Sequence, residues 1–254
     1  MSALKTPPRG WLAMTIRKKM LSGFLAVSLL VVLAVSVIFI DFRRIGSAVS
    51  MIKQEQAINE YMLEIRRQEN SYFIWYEDIY LDNIDKSIKE LKEHIIIRKE
   101  QTRDKDLIYA LDSVESALAV YENLFNKVIE NHKLHTLIVE DMRYSGRALE
   151  EAASKKAEAD KTTIWILQSR GEAKNYSLYR NIVLAAGEKS YQDKFADAIA
   201  NIKIASSGDP QIVELADQYA AYFFHLVDSY QKGDELIAQV SEQAITTEKM
   251  IKEL

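Results

Sequence analysis

The chain has 254 residues, of which 48% are hydrophobic and 28% are charged, and it contains eight glycines, three prolines and no cysteine. So few helix breakers beside many Ala, Leu, Ile, Glu and Lys residues predict an all-α fold. The lack of cysteine excludes disulfides, thiol nucleophiles and thiolate metal sites, and a net charge of −4 offers no electrostatic argument for binding nucleic acid.

The first element is an apolar segment from Met20 to Ile40 that contains no charged residue. As a helix, this segment would span roughly 30 Å, the thickness of the hydrocarbon core of a bilayer. Ala34 and Ser36 have the small side chains and the spacing of a signal-peptide cleavage site, but the apolar run continues past them. A cleaved signal peptide and an uncleaved anchor therefore compete, and we interpret the segment as an anchor.

An uncleaved anchor divides the chain into three parts. These are a cytoplasmic N-terminal tail (1–19), a transmembrane helix (20–40) and an extracytoplasmic helical region (41–254). Basic residues precede the apolar segment at Arg17-Lys18-Lys19 and follow it at Arg43-Arg44. The charge bias toward a cytoplasmic N-terminus is therefore modest.

After Asp41 the pattern is helical almost throughout, and no segment shows convincing strand alternation. Three stretches repeat apolar residues at alternating spacings of four and three, which predicts helices with one buried stripe each. The stripes are Ile84, Ile88, Leu91 and Ile95; Leu107, Leu111, Val114, Leu118, Tyr121, Phe125 and Val128; and Ile212, Ala216, Tyr219, Phe223, Leu226, Tyr230, Gly233, Ile237, Val240 and Ala244.

The breaks between these helices are few. Ser207-Gly208-Asp209-Pro210 combines a glycine stop, an aspartate N-cap and a proline at the first helical position. Ala186-Gly187 predicts a helix C-terminus with glycine in the left-handed cap position. Softer breaks are expected near Glu77–Ile79 and Arg98–Asp104, and Ser145-Gly146 is the candidate for a turn between Asp104 and Ala186.

An internal repeat is the most informative feature of the chain. RRQENSYFIW (66–75) aligns with RGEAKNYSLY (170–179) at an offset of 104 residues. After an insertion in the second copy, YLDNIDKSIKEL (80–91) aligns with YQDKFADAIANI (191–202). Both copies keep the same order and the same apolar phase, although two amphipathic helices can also look alike by default.

Three stretches carry a resemblance to a known family. IRKKMLSGFLAVSLL, EIRRQENSYFIWYEDIYLDNIDKSIKEL and ILQSRGEAKNYSLYR resemble the helical bimodular sensor domains of bacterial transmembrane receptors, which are mostly methyl-accepting chemotaxis proteins and some sensor histidine kinases. The paired motif of that family has Arg, then usually Glu-Lys, then Tyr or Phe. This chain departs from it at Asn70, where Lys is usual, and at Ala173, which replaces the Glu of the second copy.

The resemblance implies two stacked four-helix bundles that share long helices, with repeat halves of about 41–145 and 146–254. It also implies small organic acids as ligands and a homodimer as the assembly.

Polar residues interrupt the apolar pattern of the first long helix. Two adjacent stripes run along that helix, and both are expected to face the interior of the bundle. One stripe is Ile45, Val49, Ile52, Gln56, Asn59, Leu63, Arg66, Asn70 and Phe73, and the other is Ile58, Met62, Ile65, Glu69, Tyr72 and Tyr76. In the second copy, Arg170 follows Ile166 and Leu167 by one helical turn, and Lys174 comes next on the same face.

A buried guanidinium needs a partner, and two alternatives remain open. In one, Arg66 pairs with a carboxylate on a neighbouring helix and nothing binds. In the other, the arginine fork receives the carboxylate of a ligand between aromatic walls. The candidate ligand-binding residues are Arg66, Arg67, Glu69, Tyr72, Trp75, Arg170, Lys174, Asn175 and Tyr176.

An enzymatic function finds little support in the sequence, and we predict no catalytic residues, no cofactor and no metal. There is no Gly-rich phosphate loop and no Ser–His–Asp constellation. His132 and His135 could share a helix face, but a di-iron bundle site needs Glu three residues before His. The residues at that offset from the four histidines are Leu91, Ile129, His132 and Tyr222. The histidines are therefore expected to be solvated surface residues.

The sequence and the resemblance together predict the extracytoplasmic, periplasmic sensing region of a bacterial chemoreceptor in the inner membrane. It would bind a small carboxylate metabolite and signal by helix displacement. The rivals are a sensor region of a histidine kinase or cyclase, a sensor that responds through a periplasmic binding protein, and a membrane-anchored structural bundle. The final EKMIKEL stands in mid-helix, which predicts that these residues are a fragment of a longer receptor.

Overall fold

The computed structural model describes residues 16–156, 159–182, 184–185, 187–206 and 208–254. Within these residues the chain forms six α-helices and no strand, which confirms the predicted all-α fold. The helices are α1 (Ile16–Trp75), α2 (Asp78–Gln101), α3 (Lys105–Ser154), α4 (Ala159–Tyr179), α5 (Tyr191–Ala205) and α6 (Pro210–Lys252).

The apolar segment forms the first third of α1. The part from Met20 to Arg43 is long and apolar enough to cross a membrane, judged by length and composition, and none of it is buried against the rest of the protein. Its Leu, Val, Ile and Phe side chains are exposed along its length. The predicted apolar helix is therefore present, and α1 continues from it without a break as far as Trp75.

The chain divides into two compact units. Unit 1 comprises residues 1–115 and 250–254, and unit 2 comprises residues 116–249. The boundaries between the units fall within α3 and α6, and the first copy of the repeat lies in unit 1 while the second lies in unit 2. The boundary predicted at residues 145–146 lies inside unit 2, and the repeat itself stays a prediction.

In unit 1, α1 and α2 pack side by side in opposite directions. Side-chain contacts join Gln54 to His94 at 2.5 Å and Gln68 to Asn83 at 3.4 Å, so numbers rise along one helix as they fall along the other. The predicted stripe of α2 is buried, as are Ile58, Met62, Ile65, Glu69 and Tyr72 of α1.

The apolar stripe of α1 that begins at Ile45 is not buried within the chain. Ile45, Val49, Ile52 and Leu63 are exposed, which corrects the expectation that both stripes face the interior. The physical reason is that the stripe shared with Glu69 lies against α2, and one neighbouring helix covers a single stripe of about 100°. The uncovered stripe continues the four–three spacing up to Arg66.

The core of unit 2 is built from α3, α4, α5 and α6. The predicted seams of α3 and α6 are largely buried there, with Tyr121, Phe125, Phe223 and Val240 among their inner residues. The rings of Phe195 and Phe223 stack with their centres 3.8 Å apart. Ile166, Tyr176 and Phe195 complete one apolar cluster with the seam of α6.

The start of α6 follows the predicted capping pattern. Gly208 has φ of 74°, and the Asp209 carboxylate accepts backbone N–H groups from Gln211 at 3.1 Å and Ile212 at 3.3 Å. Pro210 is the first helical residue. The predicted glycine, N-cap and N1 roles are therefore confirmed, while Ser207 lies outside the described residues.

Three predicted boundaries need comment. The breaks after Trp75 and after Gln101 fall where they were expected, but the turn at Ser145-Gly146 is wrong because α3 continues to Ser154. The predicted helix end at Ala186-Gly187 is also wrong, since α4 ends at Tyr179; Gly187 has φ of 87° in the irregular segment before α5, and Ala186 lies outside the described residues.

Gly146 has a packing role instead of a turn role. A Cβ atom at this position would lie 3.1 Å from Cε2 of Tyr219, whose ring packs against the backbone of α3. Tyr219 is buried, so its ring has little room to retreat. The glycine therefore marks a close approach of α3 and α6. The break between α3 and α4 follows Ser154, where the sequence analysis predicted none.

We expect Gly146→Ala to lower the free energy of unfolding by about 1 kcal/mol, because overpacking the buried ring outweighs the gain in helix propensity. Gly171→Ala on α4 is the matched control, since nothing lies within 4 Å of its added Cβ, and it should stabilise by about 0.5–1 kcal/mol. Thermal unfolding of the full chain in detergent, followed by circular dichroism, measures both. Equal stabilisation by the two substitutions would contradict the close approach.

Candidate functional site

Arg66 finds its partner on its own helix. Its Nη1 donates to Oε1 of Glu69 at 2.7 Å, three residues further along α1. The Glu69 side chain is fully buried, whereas the Arg66 side chain is 21% exposed. Arg66 therefore lies at the edge of the α1–α2 contact and extends inward to neutralise a buried carboxylate, a partner that neither sequence alternative had named.

The other candidates of the first motif do not gather around Arg66. Arg67 pairs with Glu64 at 2.8 Å on the solvent side of α1, and Trp75 is 63% exposed at the end of that helix. Tyr72 is buried, and this burial raises its pKa to about 12. The first copy of the motif thus separates into one buried pair, one buried ring and two surface residues.

We expect Arg66→Ala to lower the free energy of unfolding by about 2–3 kcal/mol, because it leaves the Glu69 carboxylate buried without its guanidinium partner. The double variant Arg66→Ala/Glu69→Gln should recover a large part of this loss, since the buried charge is then absent. Thermal unfolding of the full chain in detergent gives both values. Arg67→Ala is the control and should change stability by less than about 0.5 kcal/mol; an equal effect of Arg66→Ala and Arg67→Ala would refute the assignment.

In unit 2, the second copy of the motif borders a cavity of about 170 Å³, which we call cavity 1. The residues of α3, α4 and α6 that line it are Val139, Met142, Arg143, Gly146, Arg170, Ala173, Lys174, Ser177, Tyr219 and Leu226. Three of them are cationic, and none is acidic. The structure therefore brings Arg170 and Lys174 together, as their common helix face predicted.

Cavity 1 has two cations that the protein leaves without an acid. Nη1 of Arg170 binds Oε2 of Glu150 at 2.7 Å. Arg143 and Lys174 are exposed and make no hydrogen bond or ion pair with the described residues. Positive charge thus converges on one space without a compensating carboxylate in its lining, which favours an anionic occupant.

The uncharged lining of cavity 1 is apolar apart from the phenol of Tyr219 and the hydroxyl of Ser177. Met142, Ala173 and Tyr219 are buried, and burial raises the pKa of Tyr219 to about 12. The phenol therefore stays protonated at neutral pH and retains an O–H donor. A lining that combines small apolar surfaces with cationic groups suits a short-chain anion.

Ala173 explains why the second copy of the motif borders a cavity while the first contains a buried ion pair. At the offset of 104 residues, Ala173 occupies the position of Glu69. An alanine cannot pair with Arg170, and its short side chain lines cavity 1 where a glutamate would extend. The alanine therefore supplies no internal carboxylate and leaves space in its place.

Arg143 is the functional candidate that sequence reasoning missed. It lies on α3, far from either copy of the repeat, and only the packing of α3 against α4 brings it to Arg170 and Lys174. A usable signal was present in the sequence. Gly146 is a glycine inside a helical pattern, and it marks a close approach of two helices less than one turn from Arg143. We read that glycine as a turn.

A second cavity in unit 2, which we call cavity 2, has a volume of about 260 Å³. Tyr176, Arg180 and Asp234 are among its lining residues, whereas Asn175, also on the candidate list, lines neither cavity. Tyr176 is buried, and burial raises its pKa. The nine sequence candidates therefore distribute over the surface, one buried ion pair, one buried ring and two cavities.

Two histidines are not the solvated surface residues that we expected. His132 and His135 are half-buried on α3, and burial lowers the pKa of each. The His135 ring packs edge-on against Tyr230 with ring centres 4.3 Å apart. Among the described residues, no group of three or more His, Cys, Asp or Glu side chains could hold a metal ion.

No protein-family model matches the chain, and a search of curated proteins found no match to it. Functional assignment therefore depends on the two cavities of unit 2 and on the candidate membrane span of α1. Of these features, cavity 1 has the clearest chemical selectivity, because its charged lining residues are all of one sign.

Proposed function

We propose that the chain is the ligand-sensing region of a bacterial transmembrane chemoreceptor and that it binds a small organic acid in cavity 1. The observation that carries this proposal is the convergence of Arg143, Arg170 and Lys174 on a space with no acidic lining residue. The resemblance to helical bimodular sensor domains supplies the receptor class.

The size of cavity 1 restricts the ligand. A cavity of about 150 Å³ accommodates benzene, so 170 Å³ suits an acid of about six to eight heavy atoms. Guanidinium groups bind carboxylates through two parallel hydrogen bonds, and Lys174 adds a point charge. A short dicarboxylate fits best, with its methylene groups on Met142 and Leu226.

Signalling would use the helices that line the cavity. A ligand in cavity 1 touches α3, α4 and α6 together, so binding favours one relative position of these helices over another. Displacements of an ångström or two are typical of such switches. In this proposal the apolar span of α1 anchors the protein in the inner membrane, and the residues from Asp41 onward are periplasmic.

The exposed stripe of α1 supports a homodimer. Ile45, Val49, Ile52 and Leu63 follow the heptad spacing of a coiled-coil seam, and they are exposed in the single chain. The stripe lies on the helix that also contains the candidate membrane span, so two copies anchored in parallel would present it to each other.

A structural role is the function that the contacts favour for the first motif. The rival of a bundle without a ligand requires protein carboxylates for both Arg66 and Arg170 and no cavity beside them. Both arginines have such a partner, but Arg170 also lines cavity 1, whereas Arg66 lines neither cavity. We therefore confine the proposed ligand site to the second motif.

Isothermal titration calorimetry of the full chain in detergent tests the site with succinate, malate and butyrate. At least one acid should bind, and Arg143→Gln or Lys174→Gln should weaken it at least tenfold, because each removes an unpaired cation. Ala173→Glu should abolish binding, since the new carboxylate would pair with Arg170 and fill the cavity.

Arg147→Gln is the matched control, because Arg147 is exposed on α3 one turn from Arg143 and does not line the cavity. Binding that is unaffected by Ala173→Glu, or weakened equally by Arg147→Gln, would contradict the site. The absence of binding by all three acids would contradict the ligand class.

Disulfide cross-linking tests the dimer, and the lack of cysteine makes the background clean. Ile52→Cys should form a covalent dimer on mild oxidation in membranes, because residue 52 lies on the proposed seam. Lys53→Cys should cross-link weakly or not at all, since it lies about 100° further round the helix. Equal cross-linking at the two positions, read on a non-reducing gel, would count against this interface.

A further inference from the structure

Cavity 2 differs from cavity 1 in its charge and in its size. It lies in unit 2 between the end of α4, the segment after it, the start of α5 and the middle of α6. Its charged lining residues are one cation, Arg180, and one anion, Asp234. The remainder of the lining contains tyrosines, amide side chains, a serine, an isoleucine and a leucine, so the site mixes polar and apolar surface and is electrically balanced.

Arg180 is held firmly and yet uses few of its donors. Its guanidinium lies 4.0 Å from the centre of the Tyr230 ring, a cation–π contact that fixes the plane of the fork. Nη2 donates to Oδ1 of Asp234 at 3.0 Å, and Nη1 makes a long contact of 3.4 Å with the Ser177 carbonyl. Nε is buried and has no hydrogen-bond partner among the described residues. A buried N–H without an acceptor is unfavourable, so an acceptor from a ligand would be stabilising.

Asp234 also has unused capacity. Only Oδ1 takes part in the contact with Arg180, and the side chain is 47% exposed. The second oxygen, Oδ2, makes no hydrogen bond with the described residues. One acceptor and several donors therefore remain on two opposite charges that border the same space.

This balance selects among ligand classes. A simple acid in cavity 2 would gain from Arg180 but be repelled by Asp234, and a simple amine would meet the reverse. A molecule that carries both charges a few ångströms apart can satisfy each group. We propose that cavity 2 binds a free amino acid in its zwitterionic form, with its carboxylate on Arg180 and its ammonium group on Asp234.

The walls of the cavity indicate the kind of side chain. The rings of Tyr179 and Tyr191 lie 6.4 Å apart at a tilt of 39°, and the buried Tyr176 and the amide of Gln192 also line the cavity. These surfaces offer apolar contact with few further charges. A volume of 260 Å³, compared with about 150 Å³ for a benzene-sized cavity, admits an amino acid as large as leucine or phenylalanine.

The two cavities have no lining residue in common, but Ser177 links them. Ser177 lines cavity 1, while its backbone carbonyl accepts from the Arg180 that lines cavity 2. The amino-acid site is independent of the proposed organic-acid site, because its charges come from other residues.

Isothermal titration calorimetry of the full chain in detergent tests the proposal with L-leucine, N-acetyl-L-leucine and L-leucinamide. L-leucine should bind, and each analogue should bind at least tenfold more weakly, because each lacks one of the two charges. Equal binding of N-acetyl-L-leucine would make the site one for acids, and equal binding of L-leucinamide one for amines; either result overturns the proposal. Failure of both L-leucine and L-phenylalanine to bind overturns it as well.

Asp234→Asn keeps the shape of the side chain and should weaken L-leucine at least tenfold while leaving N-acetyl-L-leucine no weaker. Arg180→Lys keeps the charge but loses the fork, and it should also weaken L-leucine. The matched control is Asp197→Asn, which alters a half-exposed acid paired with Lys189 at 2.5 Å outside both cavities.

Asp197→Asn and the cavity 1 variant Arg143→Gln should both leave L-leucine binding unchanged. Unchanged binding in Asp234→Asn, with helical content intact by circular dichroism, would overturn the proposal. If Asp234→Asn lost its helical content, the three ligands on the unaltered chain would decide the question.

Discussion

The close antiparallel contact of α3 and α6 within unit 2 is the constraint on which cavity 1 depends, because both helices line it. It is fixed by side chains of one helix that reach the backbone of the other: Asn131 donates to the Ser229 carbonyl at 3.0 Å, and Gln243 donates to the Ala117 carbonyl at 2.9 Å. Such bonds require the two backbones to approach closely. With α3 and α6 held in this way, α4 and α5 pack across them and leave two spaces that differ in charge.

The two aligned stretches show how one residue can distinguish a buried ion pair from an open cavity. In both copies an arginine lies near the edge of a helix contact. Where Glu69 is present, the arginine is neutralised and the carboxylate is buried. Where Ala173 takes that position, Arg170 turns to Glu150, and two further cations border an open volume. The electrostatic reason is that no acid at position 173 adds negative charge to this space, so its unpaired cations favour an anionic occupant.

Local patterns predicted much of the fold, because spacing and caps act over one or two turns. The seams of α2, α3 and α6 and the cap at Asp209 depend only on neighbours in sequence. The failures have a common cause in tertiary packing. The sequence could not show that α2 covers one stripe of α1 or that His135 packs on Tyr230. It also could not show that Arg143 lines the same cavity as Lys174. Each of these depends on which helices become neighbours. The turn predicted at Gly146 was wrong for the same reason, because the glycine serves the packing of α3 against α6.

The paired glycines of the α3–α6 contact have an evolutionary consequence. Gly146 of α3 lies under Tyr219 of α6, and Gly233 of α6 lies 3.0 Å, measured from an added Cβ, from the amide nitrogen of Asn131 on α3. Each small residue is matched to a large one on the opposite helix. Mutations at the two members of a pair are therefore not independent under selection, because the cost of a bulkier residue at 146 depends on the size of the residue at 219. Among descendants of this gene, a change at one member of a pair should alter which residues the other member accepts.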